Sequence, residues 1–178
     1  MLPESWNETQ PGVFYTDRRI VVADQEAVAF LKSAAAASPL RRARLCTHPS
    51  PDSTQHDMII VSHSRTYVPP HRHLKKSETF MVLEGHATMI QFENDGRVAG
   101  IFDMAPIDAG GAFFYRMSAG TFHSQVIHDE WLVFAESTAG PFASTESENA
   151  DWAPPQNEPD AGRDYLRKIL ASMRTSAN

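Results

Sequence analysis

A chain of 178 residues with one cysteine cannot form an internal disulfide. A small disulfide-stapled secreted scaffold is therefore excluded, and a reducing compartment fits. Cys46 lies in the strand-like stretch Arg-Leu-Cys-Thr and reads as a buried structural thiol. Long apolar runs are also missing. The longest stretch free of Asp, Glu, Lys and Arg, Met117 to His128, is too short and too polar for a membrane helix, which needs roughly 20 apolar residues. Basic residues are outnumbered, 16 Lys and Arg against 22 Asp and Glu, for a formal charge of −6. Such a chain has no strong electrostatic attraction to nucleic acid or to an anionic membrane, so neither is an expected partner. The opening Met-Leu-Pro-Glu-Ser-Trp has no basic region and no apolar run, unlike a signal peptide, and the expected location is the cytoplasm.

What is present suits one folded domain spanning residues 1–178. Hydrophobic content of 42% with 21% charged residues excludes disorder as the main state. Short β-like runs are expected at Gly12 to Tyr15 and Arg19 to Val22. Asp24 then stands as a helix N-cap before Gln25 to Ala37, where Val28, Leu31 and Ala35 share a face; Ser38-Pro39 ends that helix. Period-two patterning follows at 41–47, 57–63, 78–84, 87–93, 97–103, 112–116, 122–128 and 131–137, with glycine turns between. Asp95-Gly96 is a hairpin signal. Many short strands without alternating helices predict a mainly β sandwich or barrel. The predicted barrel core is about 39–140, after an N-terminal extension at 1–38 and before a C-terminal arm and helix at 141–178. Residues 142–160 are acidic and proline-containing and read as a loop or arm, with Trp152 as its anchor; Leu166, Ile169, Leu170 and Met173 form one side of a final helix near 163–173.

The chemical signal is a histidine constellation. On a strand, His71 and His73 project to the same face. Glu78 opens the next strand after a short connection that can fold it back alongside, and a later turn, Ser118-Ala119-Gly120-Thr121, leads to His123. Three neutral imidazoles and a carboxylate suit one divalent transition metal: Fe, Mn, Ni, Co or Zn.

The pattern His71-X-His73-X4-Glu78-X6-Gly85, with the later Gly120-X2-His123, resembles the two motifs of the cupin superfamily. The resemblance implies a double-stranded β-helix, or jelly-roll barrel, holding a metal inside through His71, His73, Glu78 and His123. Arg65, Ser118 and Ile127 stand where those motifs usually carry Gly, Pro and Asn; none is a metal ligand. A closer resemblance, over about 39–159, is to the WbuC-type cupin-fold metalloproteins. It is carried by Arg41-Arg42-Ala43-Arg44, Arg65 to His73, Glu78 to Gly85, Gly140-Pro141-Phe142 and Trp152-Ala153-Pro154. That family takes its name from bacterial surface-polysaccharide gene clusters.

Strand parity turns Phe80 and Val82 inward with Glu78, and Gln125 and Ile127 inward with His123. Outward Met81 and Leu83 then need cover from the N-terminal helix, the C-terminal arm or a second subunit, and a homodimer is expected. Tyr67, Arg65, Arg116, Tyr115 and Gln125 are the candidate substrate-binding residues near the barrel mouth. Arg116 either grips a ligand carboxylate or phosphate or pairs with a surface acid, the latter being favoured. Arg41, Arg42 and Arg44 form an anion site or, by preference, a solvated strand face. Lys75 and Lys76 are expected in solvent, and the five remaining histidines at surface or structural positions. Two functions follow. One is a metal-dependent enzyme on a small polar or sugar-like molecule, of isomerase/epimerase or oxygenase type. The other is a non-catalytic ligand-binding or regulatory cupin linked to surface-polysaccharide metabolism. The absence of a visible general base speaks for the latter, but a four-ligand site with open positions in a barrel fits chemistry better, and the enzyme is the preferred reading.

Overall fold

A computed structural model of the chain describes residues 5–176, so the opening residues weighed above as a leader lie partly outside it. The described residues form twelve strands: β1 (Trp6–Gln10), β2 (Val13–Thr16), β3 (Arg42–Cys46), β4 (Gln55–His63), β5 (His71–His73), β6 (Glu78–Glu84), β7 (Ala87–Phe92), β8 (Val98–Met104), β9 (Phe114–Met117), β10 (Phe122–Ile127), β11 (Trp131–Ala139) and β12 (Ser147–Asn149). Two α-helices, α1 (Gln25–Ala37) between β2 and β3 and α2 (Pro159–Ser176) after β12, accompany them.

One sheet runs β1-β2-β3-β4-β11-β6-β9 and the other β12-β5-β10-β7-β8. From β4 onward the chain repeatedly crosses between the sheets, so neighbours such as β4 and β11, or β5 and β10, are distant in sequence. This is the double-stranded β-helix of a cupin-type jelly roll. Its pairings are antiparallel except β2–β3, which run parallel with α1 as their crossover.

Alternation places the core. In β6, Glu78, Phe80 and Val82 are buried while Met81 and Leu83 are exposed. Between the sheets, Phe80, Val82, Met89, Met104, Ile127, Leu132 and Phe134 pack together with Cys46. Full burial of such side chains stabilises by about 1.5–3 kcal/mol each. The outer faces of β3, β4 and β11 (Ala43, Leu45, Val61, Val133) are covered by Ala27, Leu31 and Ala35 of α1. Asp24 caps α1, its Oδ1 accepting from the Ala27 N–H at 2.9 Å. On the opposite side, α2 lays Leu166 and Leu170 over Ile90, Phe92, Phe122 and Val126, and Trp152 anchors there against Phe92 and Phe122.

The structure differs from expectation in several places. Arg19 to Val22 is not a strand; Ile20 and Val22 stand in solvent with no ladder partner to bury them. The 142–160 arm contains β12, which pairs with β5 and so adds a strand beside the histidines. The last helix starts at Pro159, a residue suited to a first helical turn, and Met173 faces solvent. Neither helix covers Met81 or Leu83, which stay 38% and 43% exposed beside Phe114 of the edge strand β9.

Candidate metal centre

The short strand β5 follows Pro69-Pro70 and is held between two others. His71 is the ladder partner of His123 in β10, and His73 is the partner of Ser147 in β12. Ladder partners project to the same face, so the two strands deliver three imidazoles into the barrel. Glu78 does not lie alongside them, as the connection length suggested. It opens β6 in the facing sheet and closes the cluster from across the barrel. The short linker between β5 and β6 crosses from one sheet to the other.

The ligating atoms of His71, His73 and His123 lie within 4.8 Å of one another. Two of the rings are oriented by carbonyls. His71 Nδ1 meets Pro69 O at 3.0 Å, and His123 Nδ1 meets Thr121 O at 3.1 Å. A carbonyl only accepts, so each Nδ1 carries the proton and each Nε2 presents a lone pair. His73 Nδ1 is held by Ser147 Oγ at 3.0 Å. Glu78 Oε2 stands 3.1 Å from His73 Nε2 and 3.9 Å from His123 Nε2. Adjacent donors on an ion with bonds of about 2.1 Å are about 3 Å apart, so this spacing fits a shared ion.

Electrostatics keeps His71, His123 and Glu78 in forms able to ligate. Burial, reinforced by His123, lowers the His71 pKa to about 3, so its imidazole is neutral. Burial, against the pull of Glu78, lowers that of His123 too. Burial alone would raise the Glu78 carboxyl, but the His73 hydrogen bond and the facing histidines outweigh it and bring it down to about 2. The other carboxylate oxygen, Oε1, accepts a hydrogen bond from Tyr115 Oη at 3.0 Å. Burial holds the Tyr115 hydroxyl well above its usual value, so it remains a donor. Tyr115 is in turn stacked on Phe80 (5.0 Å, 9°), and Phe80 on Phe134 (4.1 Å, 19°), an apolar wall inside one sheet.

The cluster opens into a cavity of about 170 Å³, room for a small molecule and not a polymer. Of the residues expected to bind substrate, Tyr115 and Gln125 line it. Three do not. Tyr67 is 2% exposed, packs in the apolar layer beneath α2 and donates its hydroxyl to Pro154 O at 2.7 Å, so it is a structural plug. Arg65 is exposed on the turn after β4, its carbonyl taken by Arg163. Arg116 alternates with the inward Tyr115 and therefore points out, opposite Thr79.

Three other charged residues enter the cavity instead: Arg42, Arg44 and Glu136. The solvated-face reading of the arginines is corrected by the ladder. Ala43 and Leu45 pack under α1, so Arg42 and Arg44 must point inward; Arg41 alone stays outside, its guanidinium on Ala36 O. Glu136 was missed, although parity along β11 offered the signal: it follows the inward Leu132 and Phe134 at intervals of two. Burial, with the Glu78 charge, raises its carboxyl to about 8, against the opposing pull of Arg44, Arg42 and Lys76. Lys76 is likewise not in solvent. It is 9% exposed with Nζ over the Phe142 ring at 5.9 Å, while Lys75 pairs with Glu146. The remaining histidines stand apart from the centre. His48 and His56 stack on each other at 4.0 Å, His63 packs edge-on against Trp131, His86 pairs with Asp129, and His128 meets Thr88 Oγ1 at 2.7 Å.

Comparison with known proteins adds the following. Residues 23–104 match a family described as a domain of unknown function, DUF6016. No curated protein sequence matches significantly. Among solved structures, a Shewanella oneidensis structural-genomics protein is 10% identical over 70% of this chain and 78% of its own, with a TM-score of 0.49. A sugar phosphate isomerase from a cupin superfamily, of Silicibacter pomeroyi, is 18% identical over 49% of this chain and 52% of its own, with a TM-score of 0.39. Oxalate decarboxylase of Bacillus subtilis is 16% identical over 61% of this chain and 27% of its own, with a TM-score of 0.48. The chain thus spans about half or less of the latter two proteins. At such scores the fold assignment rests on the strand order. No described helix is long and apolar enough to cross a membrane.

Proposed function

We propose that this chain is a cupin-fold metalloprotein that binds one divalent transition metal through His71, His73, Glu78 and His123 and works on a small polar molecule as an enzyme. The observation that carries the reading is the convergence of two carbonyl-anchored imidazoles, a third held by Ser147 and a Tyr115-anchored carboxylate at the mouth of one cavity. Such an ion supplies Lewis acidity toward a carbonyl or hydroxyl oxygen. The protein's own residues orient the donors, exclude water through the Tyr115-Phe80-Phe134 wall, and hold a transferable proton on Glu136 Oε. Glu136 supplies the acid–base group that the sequence reading lacked, which favours isomerase or epimerase chemistry over an oxygenase and over a non-catalytic regulatory cupin.

The reading extends to a single cupin domain of WbuC type acting in the cytoplasm on surface-polysaccharide precursors, supported by the matching residues of 39–159. It also includes a homodimer, supported by the uncovered Met81, Leu83 and Phe114 along the edge strand β9; a monomer mass in light scattering would remove that part. The metal is tested by elemental analysis of protein purified without added metal, before and after chelation and reloading. About one equivalent of one transition metal is expected, lost in His123→Ala. Folded protein that takes up no metal on reloading ends the reading.

A further inference from the structure

Arg42 and Arg44 face the histidine cluster from the opposite sheet, and both line its cavity together with Glu136. Arg44 Nε is buried with no hydrogen-bond partner. No ion pair within 4.0 Å is formed by Arg42, Arg44 or Glu136 among the described residues. Within a chain of net charge −6, this cavity sets Arg42 and Arg44 against Glu78 and Glu136, and a divalent ion at the histidines would leave it with an excess of positive charge. A buried polar atom without a partner is costly, and a guanidinium with an unsatisfied Nε is suited to receive an oxygen of an oxyanion.

Resting on the metal-centre reading above, we infer that Arg42 and Arg44 form an oxyanion-binding subsite, and that the molecule handled here is a small acid presenting a carboxylate or a phosphate group to them. One end of the ligand meets the arginines from β3 while another oxygen lies toward His71, His73, Glu78 and His123. Glu136, on β11 two strands from β3, lines the same cavity. A neutral sugar lacks the group these arginines require.

The test is calorimetric titration of metal-loaded and metal-free protein with malonate, inorganic phosphate and, as a neutral control, glycerol. Malonate, phosphate or both bind the wild type, and glycerol does not; the stronger of the two identifies the anionic group. Arg42→Met and Arg44→Met weaken that binding at least about tenfold while leaving metal content unchanged. If a methionine variant does not fold, Arg44→Lys replaces it, keeping the charge but losing the fork, with the same weakening expected. Unchanged affinity in the folded variants, binding of glycerol as tight as that of the anions, or no anion binding to loaded wild type overturns the subsite. The two readings fail separately. Arginine-dependent anion binding to a protein that takes up no metal keeps the subsite and removes the metal, whereas metal uptake without anion binding does the reverse.

Discussion

Tyr115 reaches across the β6–β9 ladder to Glu78, its hydroxyl donating to Oε1 at 3.0 Å while Oε2 faces the histidines. The neighbouring strand thereby holds one carboxylate oxygen and leaves the other turned to the histidines. Outer-shell partners of this kind typically carry 10–100-fold in metal affinity. Tyr115→Phe keeps the stack on Phe80 and removes only the hydroxyl. Competition with a chelator should show roughly a 10–100-fold loss of affinity, and the lost hydrogen bond to the carboxylate should cost about 1.5–3 kcal/mol of stability.

Ser147 belongs to the arm and orients His73 through Nδ1 at 3.0 Å. A hydroxyl both donates and accepts, so it fixes the ring less firmly than a carbonyl does. Ser147→Ala should weaken metal binding by several-fold, less than Tyr115→Phe, in the same chelator competition. An unchanged affinity would leave the arm without a part in the centre.

Glu136 makes stability depend on pH in one direction. Its carboxyl is raised from 4.5 to about 8 by burial and by Glu78, with Arg42, Arg44 and Lys76 opposing and the protonated Tyr115 nearby. Between those values the folded state binds the proton and the unfolded state does not. The stabilisation is thus complete below pH 4.5 and is lost as pH rises toward 8. The buried histidines, His71 and His123, act in the opposite sense, destabilising on acidification below about 6.5, so the Glu136 limb stands clear of them only above that pH. In metal-free protein, denaturant melts at pH 6.5, 7.25 and 8 should show declining stability for wild type and a flatter profile for Glu136→Gln.

Tyr67 has a structural role that separates it from the centre. Tyr67→Phe loses the hydrogen bond to Pro154 O and should cost about 1 kcal/mol without altering metal or anion affinity. A Cβ on Gly162 would overlap the Tyr67 ring, so Gly162→Ala should be destabilising by about 1–3 kcal/mol, again with ligand affinity intact once folded. A change in ligand affinity in Tyr67→Phe at unaltered stability would place that residue back in the site.

Much of the centre could be read from the sequence because its signals are local. His71 and His73 lie two apart on a strand, and Asp24 precedes an apolar stripe at helical spacing. Their direction follows from backbone period alone. The second layer was not legible in the same way. Arg42, Arg44 and Glu136 share the parity of core residues, but charge argues for solvent. Which face of β3 is inward depends on α1 settling over Ala43 and Leu45.

The sequence by itself therefore determined the strand and helix periods, the inward pairing of His71 with His73, and the availability of Glu78 and His123 as further donors. Tertiary structure alone decided that Glu78 closes the cluster from the facing sheet, that β12 supports His73, that Tyr67 plugs the layer under α2, and that two arginines and Glu136 occupy the cavity. The reason is physical. Side-chain direction along one strand is set by its own backbone, whereas the face that becomes interior is chosen by what other segments bury against it.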